Sequence, residues 1–282
     1  MRVGYCGELC RKRSESSAHT PKQAPGLTGE INNQPLPCVL RCMFRYMVPN
    51  VVVSWRARGV MVAVFVLALA APASGQIKPS VAEVRAYRGL HAAAANGKTA
   101  TIRRLLRSGA NPNARDSYGR TSCHIAAHFK RRAALTLLLR GGCDPNALER
   151  DRYDIATIAG VADDPETLRI ALANGAKATN ITSRYDGTAL IASAHLGHDQ
   201  VVRQLVDAGA PLDHVNNLGW TALIEAVILG NGGRRHTNVV RILVDAGANV
   251  ELADRAGATP LDHAKSRNYT EMVAILTAAG AR

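Results

Sequence analysis

The sequence predicts an all-α solenoid of about six helix-turn-helix repeats with extended turns between them. A glycine returns at intervals of 33 to 38 residues, each time after a stretch whose apolar residues have helical spacing. These glycines are Gly109, Gly142, Gly175, Gly209, Gly247 and Gly280. A second short apolar segment begins about 12 residues after every glycine but the last. One such unit cannot bury its apolar face alone, so stacked units that share a core are expected.

Each predicted helix has a start or stop signal. Glycine tolerates the left-handed conformation that closes a helix, so the recurring glycines are predicted helix caps. The second segment of each unit commonly begins with a threonine that can cap it, as at Thr221, and Pro260 suits a first helical turn. Ser80-Val-Ala-Glu83 is typical of a capping box and predicts the start of a longer first helix. The last unit is polar on its outer side, as a terminal cap requires.

The repeated unit resembles the ankyrin repeat. The residues that carry the resemblance are Leu90-His91-x-Ala93-Ala94-x-x-Gly97, Thr259-Pro260-Leu261 and Gly109-Ala-Asn-Pro-Asn. The anchor positions are Leu90, Cys123, Ile155, Leu190, Leu223 and Leu261. The repeats are expected near 84–116, 117–149, 150–183, 184–216, 217–254 and 255–282. Part of the chain, between Tyr185 and Gly233, is also similar to exported proteobacterial ankyrin proteins. The resemblance implies an ankyrin fold and a binding role rather than catalysis.

The residues before the repeats are predicted to direct export. A basic segment with Arg56 and Arg58 precedes an apolar run of twelve residues, and small residues follow, which is the pattern of a signal peptide. A membrane anchor is the alternative, but a span needs roughly 20 apolar residues. We expect cleavage between Gly75 and Gln76, with a frame ending at Ala73 as the alternative.

The predicted organisation therefore has three parts. Residues 1–46 are disordered or not translated, with translation starting at Met47 or Met43. Residues 47–75 are the signal peptide, and residues 76–282 are the ankyrin-repeat domain. The mature chain is expected in the periplasm or the medium, without stable membrane insertion.

The charge does not predict nucleic-acid binding. The net charge of +13 divides into +6 for residues 1–75 and +7 for residues 76–282. In the second part the signs alternate, and no long basic run is available to follow a phosphate backbone. Attraction to an anionic surface or cell-wall polymer through the +7 charge stays open.

No catalytic motif, metal site or cofactor site is predicted. The alternative is a metal-binding or enzymatic protein that uses His195, His198 and His236, although zinc usually needs three or four ligands with a supporting shell. Cys123 and Cys143 are expected to be buried, and their pairing is left open. The excess residues 230–236 in the fifth repeat are either a functional insertion or a neutral surface loop.

The predicted binding surface lies on the side of the extended turns and the first helix of each repeat. Arginine and tyrosine, which interfaces favour, are frequent in these turns. The predicted partner-binding residues are Tyr118, Arg152, Arg184, Tyr185, Asn217 and Glu225. Because Glu225 stands between apolar neighbours, its carboxylate must point outward or find a partner. A protein partner and a monomeric scaffold are expected.

Overall fold

A computed structural model describes residues 78–282. The predictions for residues 1–46 and 47–75 and for cleavage after Gly75 lie outside these residues and stay predictions. The described residues form thirteen helices and one short strand pair. The helices are α1 (Val81–Ala86), α2 (Gly89–Ala95), α3 (Thr99–Arg107), α4 (Ser122–His128), α5 (Arg132–Arg140), α6 (Ile155–Val161), α7 (Pro165–Ala173), α8 (Ala189–His195), α9 (Asp199–Asp207), α10 (Ala222–Ile228), α11 (Arg234–Asp245), α12 (Pro260–Ser266) and α13 (Thr270–Ala278). The strands are β1 (Ile181–Thr182) and β2 (Gly187–Thr188), which pair antiparallel.

After α1, the helices alternate between two layers. The even-numbered inner helices have seven residues each and pack against one another. The odd-numbered outer helices from α3 onward have nine residues, except α11 with twelve, and form the second layer. One apolar cluster runs between the layers from Leu90 to Ala281. The predicted ankyrin-repeat solenoid is therefore confirmed.

The recurring glycines end the outer helices as predicted. All six have positive φ, from +77° at Gly209 to +94° at Gly280. A Cβ atom added at Gly209 would meet nothing within 4 Å, so the backbone conformation alone requires glycine there. Thr188, Thr221 and Thr259 accept the capping hydrogen bonds expected of them.

Two local predictions were wrong. Ser80 and Glu83 form the expected capping box, but the first helix ends at Ala86, because Tyr87 is extended and Gly89 takes a φ of +54°. The anchor of the third repeat is Ala156 rather than Ile155. Asp154 caps α6 in the place where Thr121 precedes α4, so Ala156 corresponds to Cys123.

A buried ion-pair cluster joins the first two repeats, and a disulfide lies within the second repeat. Arg120 is buried and pairs with Glu83 of α1 and with Asp116. Burial by itself would raise the pKa of the Asp116 carboxyl, but hydrogen bonds from Arg120 hold that pKa below its ordinary value. A disulfide joins Cys123 to Cys143, whose Cα atoms are 6.4 Å apart. The open question of their pairing is thereby answered.

The excess residues of the fifth repeat extend an outer helix. Arg234, Arg235 and His236 add one turn to the start of α11. Arg235 pairs with Asp163 at 2.8 Å and approaches Asp199 at 3.6 Å, so it reaches back to the third and fourth repeats. The His236 ring lies so close to Gly197 that an added Cβ atom would be 2.8 Å from it. This segment is therefore part of the packing and not a free loop.

Among residues 78–282, no helix combines the length and the apolar character that crossing a bilayer requires.

Candidate functional site

The five extended turns between repeats share one hydrogen-bonding pattern. A side-chain oxygen of the first turn residue accepts hydrogen bonds from backbone N–H groups two and four residues later. The first residues of the turns are Asp116, Glu149, Ser183, Asn216 and Asp254. Ser183 shows only the bond two residues on. Each turn is thus a compact loop, and we call residues 116–120, 149–153, 183–187, 216–220 and 254–258 the turn tips.

The fourth residue of every turn tip has positive φ. Three tips have glycine there, at Gly119, Gly219 and Gly257, but the tips of the third and fourth repeats have Arg152 at +66° and Asp186 at +51°. A non-glycine residue in this region is sterically disfavoured by about 1 kcal/mol or more. Arg152 and Asp186 also form an ion pair with each other at 2.6 Å. The chain therefore has charged side chains at two positions where the backbone favours glycine.

Backbone hydrogen bonds join neighbouring tips into a row. The carbonyl oxygens of Tyr118, Arg152 and Tyr185 each accept an N–H from the next tip, at 2.9, 3.0 and 2.9 Å. Asn217 donates its side-chain amide to the Arg184 carbonyl at 3.1 Å. The structure thus brings five of the six predicted partner-binding residues together along one edge.

The side chains along this row are paired but accessible. Arg150 lies over the Tyr118 ring at 4.8 Å, and Arg184 pairs with Asp151 of the preceding tip. The side chains of Arg152 and Arg184 are 44% and 49% exposed. Each arginine can therefore contact a partner while its guanidinium stays oriented by a carboxylate.

Glu225 differs from the other predicted residues. It lies on the inner helix α10, is buried, and accepts a hydrogen bond from the Asn216 amide at 2.7 Å. Its second carboxylate oxygen lies 3.2 Å from Nδ1 of His195. Of the two expectations for this carboxylate, the structure shows that it finds a partner rather than pointing outward, so Glu225 is not an exposed contact residue. It acts through Asn216 by fixing the tip that contains Asn217.

Sequence reasoning missed Asp151 and Asp186, the two carboxylates that orient Arg184 and Arg152. For Asp186 a signal existed. Three of the other tips have glycine at its position, so a charged residue there stands out once the tips are aligned.

The three histidines of the alternative hypothesis point to different partners. His195 contacts Glu225, Nδ1 of His198 lies 2.8 Å from the Gly160 carbonyl, and Nε2 of His236 lies 3.1 Å from the His195 carbonyl. Within the described part of the chain, no three His, Cys, Asp or Glu side chains are grouped as a metal site would require. The geometry gives the alternative no support.

The N-terminal end of the described chain lies against an inner helix. The Lys78 ammonium is 5.0 Å above the ring of Phe129, which ends α4, and Pro79 is buried. Further along the inner layer, Leu196 is an exposed apolar residue at the end of α8. The N-terminal end of the described chain thus contacts the end of α4, whereas Leu196 at the end of α8 is exposed.

Models of the ankyrin-repeat family match three stretches of the chain. Residues 90–139 match ankyrin repeats (many copies), residues 156–233 match ankyrin repeats (3 copies), and residues 218–255 match a single ankyrin repeat. The putative ankyrin repeat protein YahD of Escherichia coli (strain K12) is 30% identical over 125 residues, which span 44% of this chain and 62% of YahD.

Two solved structures are similar over most of the described residues. An ankyrin repeat domain from Acinetobacter baumannii AYE is 42% identical with a TM-score of 0.66, and the match covers 68% of this chain and 98% of that domain. The ankyrin repeat protein EF0377 is 30% identical with a TM-score of 0.64, over 70% of this chain and 100% of that protein.

Proposed function

Because the chain belongs to the ankyrin-repeat family, we propose that it is an exported, monomeric scaffold that binds a protein partner along the turn tips. Ankyrin-repeat proteins are usually non-catalytic binding scaffolds. The proposed contact residues are Tyr118, Arg152, Arg184, Tyr185 and Asn217, with Glu225 as a positioning residue behind Asn217.

The observation that carries the binding surface is the conformation of Arg152 and Asp186. Both occupy left-handed positions at exposed tips, where glycine would avoid the steric penalty. Their mutual ion pair is exposed, and such pairs contribute at most about 1 kcal/mol to stability. Stability of the free protein therefore gives these two residues no clear advantage over glycine, which supports a role for them in contacting a partner.

Export is proposed from the sequence before Gln76 and is supported by the disulfide. Disulfides persist in oxidising compartments and are rare in reducing ones. Amino-terminal sequencing of the protein recovered from the periplasm or the medium should begin at Gln76, or at Ser74 for the alternative frame. Recovery of the intact chain in the cytoplasm only would contradict this part of the proposal.

The binding surface is tested by site-specific photocrosslinking in living cells. A photoreactive residue placed at Tyr185 should capture a protein of defined mass, and the same residue placed at Arg203 on the outer helix α9 should not capture it. The two positions belong to the same repeat, so expression and export are matched.

Once the partner is purified, affinity is measured for Arg184→Ala, Tyr185→Ala and the control Arg203→Ala. We expect each tip substitution to weaken binding about tenfold or more, as for interface arginines and tyrosines. The control should stay within about twofold. A loss confined to Arg203→Ala would place the partner on the outer face and end this assignment.

A further inference from the structure

The charge of the solenoid is divided unequally along its length. Residues 84–143 contain twelve Lys and Arg against one Asp, whereas residues 144–282 contain thirteen against seventeen Asp and Glu. The single acid of the first segment, Asp116, is occupied by Arg120. Residues 84–143 are therefore strongly basic, although charges of both signs alternate along the repeat domain as a whole.

The difference is visible at one structural position. The last residue of each outer helix is Arg107 in α3 and Arg140 in α5, but Ala173 in α7, Asp207 in α9, Asp245 in α11 and Ala278 in α13. Because the outer helices pack side by side, these residues form a row in which the charge changes sign along the solenoid.

The basic side chains of α3 and α5 are exposed and are not neutralised locally. Arg103, Arg104 and Arg107 lie on the side of α3 opposite the buried Ile102, and Arg140 continues the surface on α5. Across residues 78–282, none of these four arginines has an acidic side chain within 4.0 Å. We call Arg103, Arg104, Arg107 and Arg140 the basic outer patch.

We infer that the basic outer patch binds the surface of an anionic phospholipid bilayer. Guanidinium groups pair with phosphate oxygens in a bidentate manner, and a row of them on adjacent helices can contact many headgroups at once. Each Lys or Arg near such a surface contributes about a fivefold increase in partition. The patch lies on the outer helices and shares no residue with the turn tips, so a tethered protein could still hold its protein partner.

Two other occupants fit the patch less well. Single-stranded nucleic acid is usually bound with aromatic side chains for base stacking, and α3 and α5 contain none. Protein interfaces are enriched in aromatic residues, which the turn tips have at Tyr118 and Tyr185 but which α3 and α5 lack.

The test compares two triple variants of the full chain that carry the same net charge. One is Arg103→Gln, Arg107→Gln and Arg140→Gln. The control is Arg169→Gln, Arg203→Gln and Arg241→Gln, which lie on the outer helices α7, α9 and α11. Binding is measured with vesicles of phosphatidylcholine alone and with vesicles containing one quarter phosphatidylglycerol. The readout is the difference between the two compositions, so any partition of the apolar segment 60–71 that is common to both cancels.

We expect the wild type to bind the anionic vesicles more tightly and to lose that excess in 0.5 M salt, where the Debye length is only about 4 Å. The excess partition of the basic-patch variant into anionic vesicles should be about a hundredfold lower than that of the wild type, and that of the control should be nearly unchanged.

Equal losses of partition in both variants, or no excess partition of the wild type into anionic vesicles, would overturn the inference. A short DNA duplex is added as a competitor. If it displaces the protein from the vesicles at a phosphate concentration below that of the lipid, the patch would instead be assigned to nucleic acid. Crosslinking at Tyr185 is measured separately, so failure of lipid binding leaves the protein-binding proposal intact.

Discussion

The first two repeats and the fourth and fifth repeats share one backbone plan but are stabilised by different interactions. The first two are joined by the buried Arg120 cluster, and the Cys123–Cys143 disulfide cross-links the second repeat internally. The fourth and fifth are joined by Glu225, which contacts Asn216 and His195, and by the added turn of α11. The repeat pattern thus supplies the shared apolar core, whereas the turn tips and ends are fixed by polar contacts specific to each repeat.

Reduction of the disulfide should have the largest effect. Removing a cross-link between residues 20 apart destabilises a protein by about 3 kcal/mol. We expect hydrogen exchange in reductant to rise in α4 and α5 well before it rises in α10. The variant Cys123→Ala, Cys143→Ala should show the same exchange with and without reductant. A wild type that is equally insensitive would mean that the disulfide does not hold the second repeat.

Glu225→Ala should have the next largest effect, and on the other half of the solenoid. It leaves the buried Asn216 amide without its acceptor, at a cost of about 2 kcal/mol. Urea unfolding measures the loss, and exchange should increase in α8 and α10 rather than in α4. Glu225→Gln keeps an acceptor oxygen and is the matched control, with a loss of less than about 1 kcal/mol. Equal losses for both variants would mean that the tip contact is not what Glu225 stabilises.

Gly209→Val should follow, at about 1–2 kcal/mol, because valine disfavours the φ of +77°. The neighbouring exposed residue supplies the control, since Ala208→Val introduces the same side chain at a φ of −86°. Thermal unfolding should separate the two variants. If both behave alike, the left-handed cap is not the origin of the cost.

Arg152→Gly should change stability least, by less than about 1 kcal/mol in either direction. Relief of the left-handed strain is offset by the lost exposed ion pair and by the greater freedom of glycine in the unfolded chain. Partner binding, in contrast, should fall about tenfold or more. A clear loss of stability with unchanged binding would assign Arg152 to the fold instead of the partner.

The fold was predictable because ankyrin repeats place the same signals at regular intervals. Six cap glycines and several capping threonines each indicated one helix boundary. Because these boundaries recur at nearly equal spacing, they predicted the repeat architecture. The third repeat was misaligned by one residue because its cap is Asp154 rather than threonine and because Ile155 is more apolar than the true anchor, Ala156.

The surface was less predictable because it depends on contacts between repeats. The residues next to Glu225 in the sequence do not predict its contact with His195, which lies thirty residues away. The burial of Glu225 could therefore not be predicted from its sequence neighbours. The insertion 230–236 was ambiguous for the same reason, since its partners Asp163 and Tyr269 lie in other repeats. The basic character of the first end, however, needed only a separate charge count for residues 84–143.

The ion pair between Arg235 and Asp163 has a consequence for the cooperativity of unfolding. A stack whose units contact only adjacent units behaves as a one-dimensional chain, in which the boundary between folded and unfolded repeats can rest at any interface. Arg235 skips one unit, and the Tyr269 hydroxyl donates a hydrogen bond to the Gly230 carbonyl from the unit beyond. The Arg235 ion pair joins the fifth repeat to the third, and the Tyr269 hydrogen bond joins the sixth repeat to the fifth. Together they disfavour partly unfolded states in which the folded part ends between the third and the sixth repeat. We therefore expect the third to fifth repeats to unfold as one unit, so that the tips around Arg152 and Arg184 are kept or lost together.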